Sequence, residues 1–209
     1  MLSNKKTLIV LSESEECELD DHFDLILVSD GGYKTAKRMG LKIDALLGDF
    51  DSITRKELKE AELEGIKILS FPVNKDKTDG EIAVDYAISE GSSEIVILGS
   101  FKEELDHALG NLFLIFKINK QGIISKLITK LYEIEIINSK KEYIGKEGHE
   151  LSLIPITEIV EDLSIEGTKF NLSKTKIEIG QTLTLRNIIT DKKAKVYFNR
   201  GKLLSIINR

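Results

Sequence analysis

The chain has 209 residues, 41% of them apolar, which is enough to bury a core in one large domain or two small ones. A formal charge of −5 excludes a protein that binds nucleic acid by broad phosphate neutralisation, and Cys17, the single cysteine, excludes an intrachain disulfide or a cysteine-rich zinc site. Small-molecule partners and a reducing cytoplasm are expected. Lys5 and Lys6 precede an apolar run, Thr7 to Leu11, too short for the core of a signal peptide, and Leu112 to Phe116 is far too short to span a bilayer. From the start to about residue 122, short β-rich runs alternate with helical stretches. Strands are predicted at Thr7–Leu11, Leu25–Ser29, Ala45–Gly48, Ile66–Phe71 and Glu94–Leu98. Helices are predicted at Lys34–Met39, Thr54–Leu63, Thr78–Ser89 and Asp106–Lys120, the first two stopped by Gly40 and Gly65. In the last helix Leu109, Leu112, Phe113 and Phe116 recur at helical spacing as a burying stripe.

Beyond residue 123 β-branched residues alternate with polar ones between glycines, which predicts an all-β domain. Its strands include Ile134–Ile136, Lys176–Ile179, Thr182–Leu185 and Lys195–Phe198. The expected fold is a mostly parallel, Rossmann-like α/β domain over residues 1–125, followed by a β-sandwich over 126–209.

In an open α/β sheet, ligands bind beyond the carboxyl ends of the strands. Those ends are acidic here. Ser29 leads into Asp30-Gly31-Gly32, and Gly48 into Asp49-Phe50-Asp51-Ser52. The run Ile66–Phe71 leads into Asn74-Lys75-Asp76-Lys77-Thr78-Asp79, and Leu98 is followed by a loop and Asp106-His107. Carboxylates aimed at one rim repel one another unless a cation sits among them, and magnesium, a hard ion taking oxygen ligands and phosphates, suits that set. Asp49 and Asp51, two apart in an extended segment, can share such an ion. Gly31 and Gly32 let backbone amides approach a phosphate at a helix start. A purely structural reading stands beside this one, in which Thr78 and Asp106 cap their helices and Asp-Gly pairs make turns. His107 lies one helical turn before Asn111, so both can face the cleft, whereas His22 and His149 read as structural. Lys75 and Lys77 read as surface charges within reach of a phosphate.

Together, Ser29–Gly32, Asp44–Ser52, Asp76–Asp79 and Asp106-His107 with Asn111 resemble the ordered motifs of thiamine pyrophosphokinases. Leu153–Pro155, Gly167–Leu172 and Gly180–Asn187 resemble that family's thiamine-binding domain more weakly. The resemblance implies transfer of pyrophosphate from ATP to thiamine, giving thiamine diphosphate and AMP, with Mg2+ required and the active site between the subunits of a homodimer. It implies Asp49, Asp51, Asp79 and Asp106 as the catalytic carboxylates, with the metal on Asp49, Asp51 and Asp79. It further implies Asp30, Gly31, Gly32, Asp76, Thr78, His107 and Asn111 on the nucleotide side, and Phe170, Thr184, Arg186 and Asn187 on the thiamine side. Whether Asp79 or Asp106 takes the hydroxyl proton or holds metal stays open.

Three departures stand out. Lys102-Glu103-Glu104 replaces a Gly-Gly-Arg, Phe170 replaces a tryptophan, and Thr184-Leu185-Arg186-Asn187 replaces a Ser-Thr-Ser-Asn stretch. The alternatives are a pyrophosphokinase for another hydroxymethyl substrate, such as a pterin, and a nucleotide-binding homologue without turnover.

Overall fold

A computed structural model describes residues 4–72, 76–102 and 105–209. Asn74, Lys75, Glu103 and Glu104 lie outside the described residues. The chain forms two compact units that divide after Lys130.

In the first unit, β1 (Lys6–Val10), β2 (Leu25–Ser29), β3 (Ala45–Gly48), β4 (Lys67–Ser70), β5 (Glu94–Leu98) and β6 (Ile124–Ile128) pair in parallel in the order β6-β5-β1-β2-β3-β4. Helices α1 (Tyr33–Arg38), α2 (Arg55–Leu63), α3 (Asp79–Ser89) and α4 (Leu105–Lys120) connect them. The central strands are near-continuous apolar runs because helices cover a parallel sheet on both faces, and Leu8, Ile9, Val10 and Ile95 to Leu98 are fully buried. From β1 the chain winds outward to β4, then returns to place β5 on the other side of β1. The strand order therefore reverses between β1 and β5, where such sheets open a crevice for ligands. The boundary expected at residue 125 falls inside β6, which pairs with β5 from Glu94↔Ile124 to Leu98↔Ile128 and so belongs to the first unit.

Helix starts follow their caps. The Thr54 hydroxyl accepts from the Glu57 amide while the Glu57 carboxylate accepts from the Thr54 amide, a reciprocal capping box on α2. Thr78 likewise caps α3 by accepting from the Glu81 amide at 3.2 Å. The stripe expected to bury α4 is a correction. Ala108, Leu114, Ile115 and Ile118 are buried, whereas Leu105, Leu109 and Phe113 are exposed at 74%, 41% and 59%. This helix is apolar on both faces, so periodicity alone did not say which face the sheet would take.

The second unit contains β7 (Tyr132–Ile137), β8 (Lys140–Ile144), β9 (Glu150–Pro155), β10 (Ile159–Glu166), β11 (Leu172–Glu178), β12 (Asn187–Ile188), β13 (Lys193–Tyr197) and β14 (Leu203–Asn208). They form two antiparallel sets of four, β12-β9-β14-β7 and β11-β10-β13-β8. Alternate residues such as Leu151 and Leu153 turn into a core shared with Val160, Leu163, Ile177 and Val196. Inside that core the Tyr143 hydroxyl of β8 meets the Ser205 hydroxyl of β14 at 2.6 Å, across the two sets. The strand expected at Thr182–Leu185 is instead a turn, closed by the Leu185 amide on the Thr182 carbonyl, with Leu183 and Leu185 exposed. No helix among the described residues is long and apolar enough to cross a membrane.

Candidate active site

The site in the first unit begins with a glycine. A Cβ on Gly48, at the end of β3, would lie 2.8 Å from the Cβ of Asp30, at the end of β2, so only glycine lets these strand ends close up. Beyond it, Phe50 has φ +65°, a left-handed conformation uncommon for a bulky residue, and its ring packs against the core. Asp49 and Asp51 flank it. The Asp49 carboxylate accepts from the Asp51 amide at 3.3 Å, and the Ser52 hydroxyl donates to Asp51 at 3.0 Å. The Ser52 amide donates to Oδ2 of Asp30 at 3.1 Å, which links the two strand ends.

Asp30 is only 3% exposed, and its second oxygen, Oδ1, is buried without a hydrogen-bond partner among the described residues. Burial raises its pKa above the usual carboxylate range. The charges of Asp51, Asp49 and Asp79 raise it further, against the lowering effect of the Ser52 amide. Oxygens of Asp30, Asp49 and Asp51 lie within 4.8 Å of one another. Three hard oxygen donors, one of them a buried orphan, fit a divalent cation such as magnesium. Asp79, expected among the metal residues, is not in this group, and Asp30 is.

Asp79 instead lines an adjoining cavity of about 470 Å³ together with Ser12, Thr78, Asp106, His107 and Asn111. Its walls are the end of β1 and the first turns of α3 and α4. The helices meet closely because Gly80 leaves room, since a Cβ there would lie 3.0 Å from Leu11 and 3.1 Å from Leu114. Asp106 is the second residue of α4, inside the helix, and its carboxylate accepts from the His107 amide at 2.8 Å. The structure thus brings together five of the expected residues, Thr78, Asp79, Asp106, His107 and Asn111. It adds Ser12, signalled in the sequence only as the polar residue following β1.

Two expectations take a different form. Asp76 lies in a separate groove beside Phe71, Ile82 and Tyr86. Gly31 and Gly32 are needed for close packing, because a Cβ on Gly31 would lie 2.6 Å from the Ser12 hydroxyl and one on Gly32 the same distance from the Val10 carbonyl. These glycines seat the turn after β2 against the end of β1.

In the second unit the four expected residues are distributed unevenly. Phe170 is 63% exposed, with the Lys169 ammonium 5.4 Å from its ring centroid. Asn187 is 6% exposed and its amide is fully engaged. Its Nδ2 donates to the Phe170 carbonyl at 2.7 Å and to the Thr168 hydroxyl at 3.0 Å, and its Oδ1 accepts from the Phe170 and Ile188 amides at 3.0 Å. Thr184 is buried and donates to the Leu153 carbonyl at 2.6 Å. Arg186 is exposed, has φ +54°, and pairs with Glu150 at 3.0 Å.

A parallel α/β unit whose strand ends gather carboxylates beside a cavity has the architecture of an enzyme that handles phosphorylated ligands with a divalent cation. The models for the thiamin pyrophosphokinase catalytic domain and the thiamin pyrophosphokinase vitamin B1 binding domain match residues 17–127 and 133–203. The thiamine pyrophosphokinase of Bacillus subtilis is 30% identical over 188 residues, 89% of this chain and 88% of its own length. A crystal structure of thiamine pyrophosphokinase from Bacillus subtilis superposes with a TM-score of 0.84 at 27% identity, covering 97% of this chain and 98% of that one. A thiamin pyrophosphokinase structure from Geobacillus thermodenitrificans shares the fold, with a TM-score of 0.81 at 24% identity over 98% and 97%. The chain belongs to the thiamin pyrophosphokinase family.

Proposed function

We infer that this enzyme transfers the terminal pyrophosphate of ATP to the hydroxyl of thiamine, yielding thiamine diphosphate and AMP. The observation that carries the reading is the convergence of Asp30, Asp49 and Asp51 beside a cavity that also holds Asp79 and Asp106. In this reading Asp49 and Asp51, with Asp30, hold Mg2+, which when bound neutralises triphosphate charge. The thiamine oxygen bonds to the β-phosphorus as the bond from that phosphorus to the bridging α-phosphate oxygen breaks. AMP departs with that oxygen, and the hydroxyl proton passes to Asp79 or Asp106, both on the cavity wall. His107 and Asn111, one helical turn apart on α4, orient the nucleotide from the same wall, and the α/β unit acts as a Rossmann-like nucleotide domain. In the second unit, the exposed Phe170 ring stacks on an aromatic ring of thiamine.

We propose that the enzyme works in the cytoplasm as a homodimer with active sites between subunits. The exposed face of α4, Leu105, Leu109 and Phe113, supplies apolar surface for such contact. The activity is tested by incubating the protein with ATP, Mg2+ and thiamine. AMP and thiamine diphosphate are expected in equal amounts. ADP in place of AMP, or conversion of a pterin but not thiamine, overturns the reading.

A further inference from the structure

Asp79 and Asp106 bring two carboxylates to one cavity wall from the first turns of α3 and α4, and their mutual repulsion acts to spread those helix starts. Two features oppose it. Gly80 lets the start of α3 approach Leu114 of α4, and further along the same two helices lies an ion network. Lys117 of α4 reaches across to Glu81 at 2.9 Å and to Asp85 at 2.5 Å, both on α3. Asp85 also takes Lys77 at 2.7 Å, from the segment just before the helix.

Glu81 and Asp85 lie one turn apart, a like-charge spacing that destabilises a helix unless a cation stands between them. Lys117 is that cation. Burial by itself would raise the pKa of Asp85, yet its bonds from Lys117 and Lys77 bring it below the usual carboxylate range. Lys117, Glu81 and Asp85 are only 32%, 33% and 35% exposed and act as a network, unlike the isolated surface pair whose worth is small. The ends of the network, Lys77 and Glu81, bracket Thr78 and Asp79 in the sequence. Glu81 adds a second tie, since its amide donates to the Thr78 hydroxyl at 3.2 Å.

We propose that Lys117 is a positioning residue for the pyrophosphate transfer: through Glu81, Asp85 and Lys77 it fixes the turn that carries Thr78 and Asp79, and so holds Asp79 in place opposite Asp106. The inference rests on the reading that Asp79 serves in the reaction, and it names what keeps that carboxylate where it is. Lys117 lies about three turns along α4 from Asp106 and does not line the cavity, so it acts only through α3. Displacing a reacting group by about 1 Å can cost about 10²-fold in rate, which is how an ion bridge outside the cavity reaches the chemistry. Lys77, whose sequence position suggested reach to a phosphate, is engaged in this bridge by Asp85.

The test pairs hydrogen exchange, read by NMR on the full chain, with a double-mutant cycle. The amides of Glu81 and Ile82 bond to the Thr78 hydroxyl and carbonyl, and their exchange should be at least about tenfold faster in K117M than in wild type. K117R, whose guanidinium can span the same two carboxylates, should return it to the wild-type rate. K117M should lower kcat about tenfold with the KM for thiamine within about twofold, and K117R should restore kcat. Added to D79N, K117M should change kcat by less than about twofold, because the carboxylate it positions is already gone. E81Q, which removes the charge but keeps the amide bonded to Thr78, should behave as K117M and decides the matter if K117M does not fold. An equal loss of kcat from K117M with and without D79N overturns the proposal, because the network then only stabilises the fold. Unchanged exchange in K117M and E81Q, or wild-type turnover in D79N, also overturns it. Wild type that forms no thiamine diphosphate sinks the functional reading alone, and exchange at Glu81 and Ile82 still decides whether Lys117 fixes the turn.

Discussion

The two units treat their polar side chains in opposite ways. In the first, Asp30 is buried with an oxygen that no described residue satisfies, Asp49 and Asp51 converge on it, and Phe50 is held left-handed between them. In the second, Asn187 and Thr184 spend their hydrogen bonds on groups around them, while the neighbouring Phe170 ring stays exposed. One unit gathers mutually repelling carboxylates around a buried one, and the other satisfies its buried polar side chains within the fold. In the proposed function, this division gives the charge chemistry to the first unit and recognition of the acceptor to the second.

The largest expected effect comes from the repulsive side. Asp51→Asn should lower turnover about 10²–10³-fold while the fold and the Phe170 side are untouched. Turnover and circular dichroism measured together check this, and full activity would remove Asp51 from the metal site. Asn187→Ala should raise the KM for thiamine about tenfold with the KM for ATP unchanged, because the ring loses the clamp on both its amide and its carbonyl. The same change should cost about 1–3 kcal/mol of stability, read by denaturant melts, since it leaves buried backbone groups unpaired.

A smaller effect separates stability from function within the first unit. The pKa of Asp30 is raised in the folded state, so its ionised form opposes folding. That cost is fully present above the folded pKa and absent below the unfolded one. Asp30→Asn should therefore raise the melting temperature of metal-free protein by about 2–4 °C at neutral pH, a gain that shrinks toward pH 4, while activity falls. A lower melting temperature at neutral pH would show that Asp30 is satisfied after all. Smallest in its effect on either site is L109E/F113E on the exposed face of α4, which should reduce the particle mass from twice the chain mass to 23.5 kDa in light scattering.

Much of this was legible in the sequence. Strands buried on both faces read as apolar runs, so β2, β3 and β5 fall where expected, and the acidic residues after them mark the carboxyl edge of the sheet. Thr78 announced the start of α3 through its cap. What escaped depends on contacts between distant residues. The approach of Asp30 to Asp49 and Asp51 requires the missing Cβ of Gly48, and nothing in the local pattern says that Asp30 rather than Asp79 lies with those two carboxylates. Asp76 and Asp79, three residues apart at a helix start, line different cavities. Alternation at Thr182–Leu185 resembled a strand, yet Thr184 turns inward to bond the Leu153 carbonyl while Leu183 and Leu185 face solvent.

The division of labour is tested most directly by steady-state kinetics of Phe170→Ala with each substrate varied in turn. The variant should raise the KM for thiamine about tenfold or more and leave the KM for ATP and the Mg2+ requirement at wild-type values. Equal changes in both substrates, or none in thiamine, would contradict it.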